Sequence, residues 1–330
     1  MAGKIRWGIL GTGSIAGKFA EGLSLAQGAE LLAVGSRTQA TADAFADRFG
    51  IPRRHATYEA LAADNQVDIV YVSTPHPFHK ANTLLCLEAG KAVLCEKPFA
   101  MSAAQAREMV ALARRKKLFL MEAMWMRFLP AMVKVRELIA AGRIGAVQMI
   151  SADFGFRGPW NPQSRLLNAE LGGGSLLDVG VYPISLASMI LGRFSRVMGL
   201  SRIGSTGVDE QAAIVLGNDQ GQLASLTCAV RTASPHEACI MGEEGMIRLP
   251  GAWWHGTTLT VSSADRNAPA ERMDLPYPGN GLCCEAVEVM KCLAAGAAEC
   301  PVMPLDESVT IMETMDQLRE QWGLKYPIEG

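Results

Sequence analysis

Two periodicities alternate along the first 123 residues. Short apolar runs of strand length occupy residues 4–10, 31–34, 67–73, 92–95 and 118–121. Between them, at 14–25, 38–49, 58–63, 78–89 and 103–116, apolar residues recur at helical spacing. This β–α rhythm predicts a Rossmann-type, doubly wound parallel sheet. After Pro130 the rhythm changes. A helix to about residue 141 is followed by strand-like runs at 147–156, 212–216, 223–230, 246–249 and 259–261. Helical patterns recur at 176–191, 282–295 and 305–322. The second half therefore reads as a large open, mainly antiparallel sheet with helices on one face. A chain of 330 residues is too long for one ordinary core. We expect an α/β domain over 1–123 and an α+β domain over 124–330.

Composition narrows the class. Apolar residues make up 49% and charged residues 19%, which excludes a disordered chain. The net charge is −2 with no basic block, so nucleic acid and anionic membrane are not expected partners. No apolar run is read as reaching the ~20 residues of a membrane span. The segment Met1–Arg6 lacks the pattern of a secretory signal, and a cytoplasmic location is expected. None of the eight cysteines forms a C-x-x-C pair, and the histidines lack metal spacing. Reduced core thiols and no metal are the expectation.

The first apolar strand runs into Gly11-Thr12-Gly13-Ser14-Ile15-Ala16, the G-x-G-x-x-A form of a dinucleotide loop in its strand–turn–helix setting. Gly11 permits the tight turn, Gly13 lets backbone N–H groups approach a pyrophosphate, and Ala16 lets helix pack on strand. Ser14 and Ile15 open the helix, whose N-terminus favours phosphate charge. An NAD site usually has an acid at the end of the second strand. Here Ser36 and Arg37 stand there. A guanidinium suits a 2′-phosphate, so NADP is expected over NAD.

Residues 92–95 deliver Glu96-Lys97-Pro98 to the end of a buried strand. An ammonium in apolar surroundings needs an acidic partner, a ligand or a lowered pKa. Thr74 and Pro75 end the preceding strand. Ligands of open parallel sheets sit at these carboxyl ends. Thr74, Pro75, His79, Glu96 and Lys97 are thus expected near the nicotinamide end of the cofactor. Further on, Gly172-Gly173-Gly174-Ser175 precedes a helical run in which Asp178 and Tyr182, four apart, share a face. Pro183 should bend that run near the tyrosine.

With 11–16, 96–98 and 172–182 together, and with Met121-Glu122-Ala123-Met124-Trp125-Met126-Arg127-Phe128, the chain resembles the Gfo/Idh/MocA oxidoreductases over essentially its whole length. Within that family it is most similar to the dimeric dihydrodiol dehydrogenases and the NADP-dependent, xylose-type sugar dehydrogenases. The resemblance implies that Lys97 and Tyr182 are the catalytic pair, with Asp178 beside them, and that the peptide before Pro98 is cis. It also implies that Trp125, Phe154, Arg165 and one of Trp253 or Trp254 line the substrate pocket, Trp254 being our choice. Many relatives carry a histidine where this chain has Tyr182, which disfavours an inositol substrate.

The chemistry implied is hydride transfer between a carbinol carbon of a sugar, polyol or trans-dihydrodiol and the nicotinamide. A free phenol titrates near ~10. Lys97 and an oxidised nicotinamide, both positive, would favour the phenolate of Tyr182 as general base. Lys97 itself is the alternative proton-transfer group. Trp160 and Trp253 are further rings available to stack. Arg127 and Arg157 are further donors for substrate hydroxyls. Two other readings stay open: a sensor that binds cofactor and sugar without turnover, and an oxidoreductase that never releases its cofactor. The presence of both Lys97 and Tyr182 favours an enzyme over the sensor. The open sheet predicts a homodimer formed through its outer face.

Overall fold

The computed structural model describes residues 4–265 and 267–327. The chain forms two compact units, residues 1–128 with 278–309 and residues 129–277 with 310–330.

In the first unit the order is β1 (Ile5–Leu10), α1 (Ser14–Leu23), β2 (Ala29–Gly35), α2 (Gln39–Phe49), β3 (Arg53–His55), α3 (Tyr58–Ala62), β4 (Ile69–Val72), α4 (His79–Glu88), β5 (Ala92–Glu96), α5 (Ala103–Lys116) and β6 (Leu120–Ala123). All strand pairs are parallel, in the order β3-β2-β1-β4-β5-β6. That is the doubly wound dinucleotide-binding order. Every residue of β4, β5 and β6 is buried, as both-face coverage by helices requires. The short β3 escaped the pattern reading, being three polar residues.

The second unit carries α6 (Pro130–Ala140), β7 (Val147–Gly155), α7 (Val181–Leu191), β8 (Arg196–Ile203), β9 (Asp209–Gly217), β10 (Leu223–Ala229), β11 (Ala238–Gly242), β12 (Gly245–Leu249), β13 (Thr258–Ser263) and β14 (Glu271–Asp274). Its eight strands run in the order β14-β13-β12-β11-β7-β10-β9-β8. All neighbours are antiparallel except β7 and β10. β9 and β10 alternate buried and exposed positions along most of their length, so one face is packed and the other open.

Three expectations are corrected. A single division after residue 123 does not describe the units. Residues 278–309 return to the first unit, because α8 (Leu282–Ala294) packs on α1. A Cβ on Gly22 would lie 3.0 Å from Leu282 Cβ, and Asn280 donates to the Lys18 carbonyl at 2.7 Å. The last helix, α9 (Leu305–Trp322), starts in the first unit and continues in the second. Next, the helical run at 176–191 is not one α-helix. Leu176–Gly180 is a π-helix, and α7 follows. Pro183 is the third residue of α7, just after the π-turn, so the irregularity lies beside the tyrosine. Lastly, residues 169–191 are long and apolar enough to span a membrane: an 18-residue window within them has mean hydropathy 1.5, although 89% of that window is buried within the protein. It is a core segment.

All eight cysteines are free thiols. Glu288, Cys292 and Cys300 bring ligand-type atoms within 4.8 Å of one another. Burial pushes the Cys292 thiol up to about 12, and Glu288 pairs with Lys291 at 3.1 Å.

Candidate active site

The dinucleotide loop has the geometry its glycines predict. Gly11 takes φ +103°, and a Cβ there would press on Ser73 Oγ at 3.1 Å. Gly13 caps α1 with no side-chain hydrogen bond, and a Cβ on it would meet nothing within 4 Å. Ser14 is exposed and Ile15 half-buried at this end, while Ala16 is fully buried. An uncapped helix N-terminus beside open space fits a phosphate. At the end of β2 the Ser36 hydroxyl lies 3.2 Å from Thr12 Oγ1 and 2.7 Å from Thr41 Oγ1. Ser36 thus ties the loop to the start of α2. Arg37 follows it, exposed.

At the ends of β4 and β5, two loops are joined through His79. Its ring nitrogens each lie 2.8 Å from a carbonyl oxygen, one on Thr74 and one on Pro98. His79 is fully buried, so it fixes the loops; the expected direct contact with cofactor is corrected to this role. Thr74 is buried, its hydroxyl accepting from Asn82 at 3.1 Å, while Pro75 is exposed. The Lys97–Pro98 peptide is cis, as the resemblance implies. Glu96 is buried and accepts from the Tyr71 hydroxyl and, at 3.2 Å, from the Lys97 backbone N–H. Burial, then the charge of Glu96, holds both the Tyr71 phenol and the fully buried Glu285 well above their ordinary ranges. Lys97 is half-buried at the strand end.

Arg127 is a correction. It was expected to bind substrate, yet its side chain is fully buried. It donates to Glu307 Oε1 at 2.6 Å and to the Val302 carbonyl at 3.2 Å. Burial pushes neighbouring Glu122 up to about 7, opposed by Ser308, Arg127 and the Phe99 N–H. Trp125, in the turn before it, is half-buried.

In the second unit the expected residues fall into two groups, an aromatic cluster and an ion pair. Phe154 and Trp254 stack with centroids 3.4 Å apart at 11°. Tyr182, 6% exposed, lies 5.3 Å from Phe154 and 6.5 Å from Trp254. Asp178 is buried on the π-helix, and Arg165 Nη1 donates to its Oδ1 at 2.8 Å. Trp253 is instead a framework residue, fully buried and donating to the Asp153 carbonyl at 2.7 Å. Trp160 and Arg157 are exposed. Arg231 lies over the Trp160 ring at 5.4 Å.

Sequence reasoning missed His236, whose ring is edge-on to Trp254 at 4.8 Å and to Phe154 at 5.6 Å. It sits at φ +64°, with its backbone N–H held by Asp153 Oδ2 at 2.6 Å. Its neighbour Pro235 was the only local sign of an irregular turn. Asp209 was also missed. It is buried on the first residue of β9 and accepts from Ser175 Oγ and the Leu176 N–H, both at 2.7 Å. Burial pushes its carboxyl up to about 6 against those bonds.

The first unit thus defines a dinucleotide-binding fold, and the second brings a buried phenol, an aromatic cluster and a carboxylate–guanidinium pair together. That combination is the signature of a two-part nicotinamide oxidoreductase. A sequence profile described as "Oxidoreductase family, NAD-binding Rossmann fold" matches residues 5–124, and one described as "GFO/IDH/MocA C-terminal domain" matches 132–248. The chain is 39% identical to trans-1,2-dihydrobenzene-1,2-diol dehydrogenase of Mus musculus, with 98% of each chain covered. It is 36% identical to the Homo sapiens enzyme of that name, again with 98% of each covered. Among solved structures it is similar to KijD10, a 3-ketoreductase from Actinomadura kijaniata in complex with NADP. The TM-score is 0.84, the identity 27%, and the coverage 96% of this chain and 97% of that one. Variants of KijD10 with a lysine replaced by alanine and with a tyrosine replaced by phenylalanine are similar too. The chain belongs to the Gfo/Idh/MocA family of oxidoreductases. It is an NAD(P)-binding oxidoreductase acting on CH–OH donors.

Proposed function

We propose that this protein is an NADP-dependent dehydrogenase that oxidises a secondary alcohol on a ring with adjacent hydroxyls, a trans-dihydrodiol or a cyclic sugar. The observation that carries the reading is Tyr182. It is a buried phenol beside the Phe154–Trp254 stack, on a helix whose preceding turn holds Asp178 against Arg165. Flat apolar rings favour a flat ring of substrate. Asp178 supplies a hydroxyl acceptor whose orientation Arg165 sets. The names of the curated relatives support the diol, and the NADP complex of KijD10 together with exposed Arg37 supports the phosphorylated cofactor.

When bound, the nicotinamide supplies the hydride acceptor. Gly11, Gly13, Ser14 and Ile15 would hold the pyrophosphate, Ser36 and Arg37 the adenosine ribose with its phosphate, and the loops at Thr74–Pro75 and Glu96–Lys97 the nicotinamide end. Tyr182 takes the carbinol proton as general base, and Lys97 is the second member of the proposed catalytic pair. In the reverse direction Tyr182 donates that proton. The step contributes roughly 10²–10⁴ in rate.

The test is turnover with NADP⁺ and trans-dihydrodiols or aldoses, followed by the near-ultraviolet absorbance of reduced nicotinamide. Tyr182→Phe and Lys97→Met should each lower kcat by roughly 10²-fold or more at saturating cofactor. Near-normal turnover in both variants overturns the assignment.

We also propose a homodimer through the open face of the second sheet. Met149, Met198, Leu200, Val215 and Leu223 stand exposed on adjacent strands, a contiguous apolar surface that water does not favour. A shallow cavity of about 440 Å³ on this face is lined by Leu200, Gln211, Ala213 and Thr227.

A further inference from the structure

The glycine-rich segment before the π-helix is packed against a carboxylate rather than left open. Gly174 takes φ +114°, and a Cβ there would lie only 2.2 Å from Asp209 Oδ1. Gly173 has no more room, since a Cβ on it would lie 2.9 Å from both the Arg165 and Leu166 carbonyls. Tyr326 closes the other side, its hydroxyl donating to the Gly173 carbonyl at 2.7 Å. The Cys228 thiol lies 3.4 Å from Ser175 Oγ. The glycines thus make space for groups of the protein itself.

The Asp209 carboxylate enters that space with Oδ1, and its other oxygen, Oδ2, accepts from both the Ser175 hydroxyl and the Leu176 N–H. Those donors belong to the residue before the π-helix and to its first residue. No side chain of the segment itself caps it. A helix start leaves several N–H groups unmet, and a buried anion aimed at them fixes the direction in which the helix leaves. Asp178 stands two residues after Leu176 and Tyr182 six after, within the same continuous helical run. Oδ1 of Asp209 is buried with no hydrogen-bond partner among the described residues, so the carboxylate is held by its contacts to Ser175 and Leu176.

We propose that Asp209 is a positioning residue for the reaction: from β9 it anchors the start of the π-helix and so sets where Asp178 and Tyr182 stand. The inference rests on the assignment of Tyr182 above. It also gives a reason for a π-turn at this place. The anchor pins the first residue, and the wider π-turn takes up the length between that fixed point and the regular α7.

Kinetics of the full-length enzyme with NADP⁺ and its best alcohol substrate test it, alongside NADPH binding by fluorescence. Asp209→Ala should lower kcat about 10- to 100-fold, the size expected when a reacting group is misplaced by about an ångström. NADPH affinity should stay within about threefold, because the nucleotide loop is in the other unit. Asp209→Asn keeps an oxygen acceptor for both donors and should restore most of the loss. Wild-type kcat in a folded Asp209→Ala overturns the proposal. So does an Asn variant as impaired as the Ala variant, or an equal loss of NADPH affinity. If Asp209→Ala does not fold, Ser175→Ala decides: it removes one of the two bonds and should lower kcat several-fold with KM little changed, and unchanged kcat overturns the proposal. Tyr182→Phe is measured in parallel. Normal turnover there sinks the catalytic assignment, whereas an inactive Tyr182→Phe beside a normal Asp209→Ala sinks only the anchor.

Discussion

Replacing Arg127 by methionine separates a framework role from a substrate role. The guanidinium is fully buried and satisfies Glu307 and the Val302 carbonyl. Methionine keeps much of the volume but leaves the Glu307 carboxylate, only 22% exposed, without its cation. Removing one partner of a buried pair costs about 3–5 kcal/mol. In a unit of this size each kcal/mol lowers the melting temperature by about 2–4 °C, so the expected drop is roughly 6–20 °C. Thermal unfolding followed by tryptophan fluorescence measures it, since Trp7 is fully buried in the same unit. Adding Glu307→Gln should recover part of the loss by removing the carboxylate charge that Arg127 balanced. Below the unfolding transition the variant should keep the substrate KM of the parent. A variant with unchanged melting temperature and a raised KM would refute the reasoning and return Arg127 to the substrate.

Three other outcomes are expected. Glu122 is fully buried with its pKa raised from 4.5 to about 7, so the folded state holds its proton more tightly. Its contribution is full below the ordinary value and is lost as pH rises through about 7, a change of about 3 kcal/mol. Glu122→Gln should therefore flatten the fall in stability between about pH 5 and 8, and an unaltered slope by denaturant titration would contradict this. Arg37→Asp should weaken NADP⁺ binding by about 10- to 100-fold, the loss of charged hydrogen bonds to a phosphate, while affecting NAD⁺ little. An unchanged ratio of the two dissociation constants would remove Arg37 from the site. Met198→Lys with Leu200→Lys should convert a dimer to a monomer in sedimentation velocity at micromolar concentration, and a parent protein that is already monomeric would end the dimer proposal.

What the sequence determined is what is written in neighbouring residues. The glycine loop, the buried strands, Ser36 with Arg37 in place of an acid, and the Glu96-Lys97-Pro98 strand end are all local, and local steric and hydrophobic rules suffice to read them. Tertiary structure decided everything that depends on distant partners. Arg127 reads as an available cation until a segment some 180 positions later brings Glu307 to it. Phe154 on β7 meets His236, just before β11, because those two strands are paired, and Asp209 meets Ser175 because β9 lies under the π-helix. Periodicity reports which face of an element is apolar, but not what will pack on it. A buried polar group is assigned by the partner that satisfies it, and that partner is chosen by the fold.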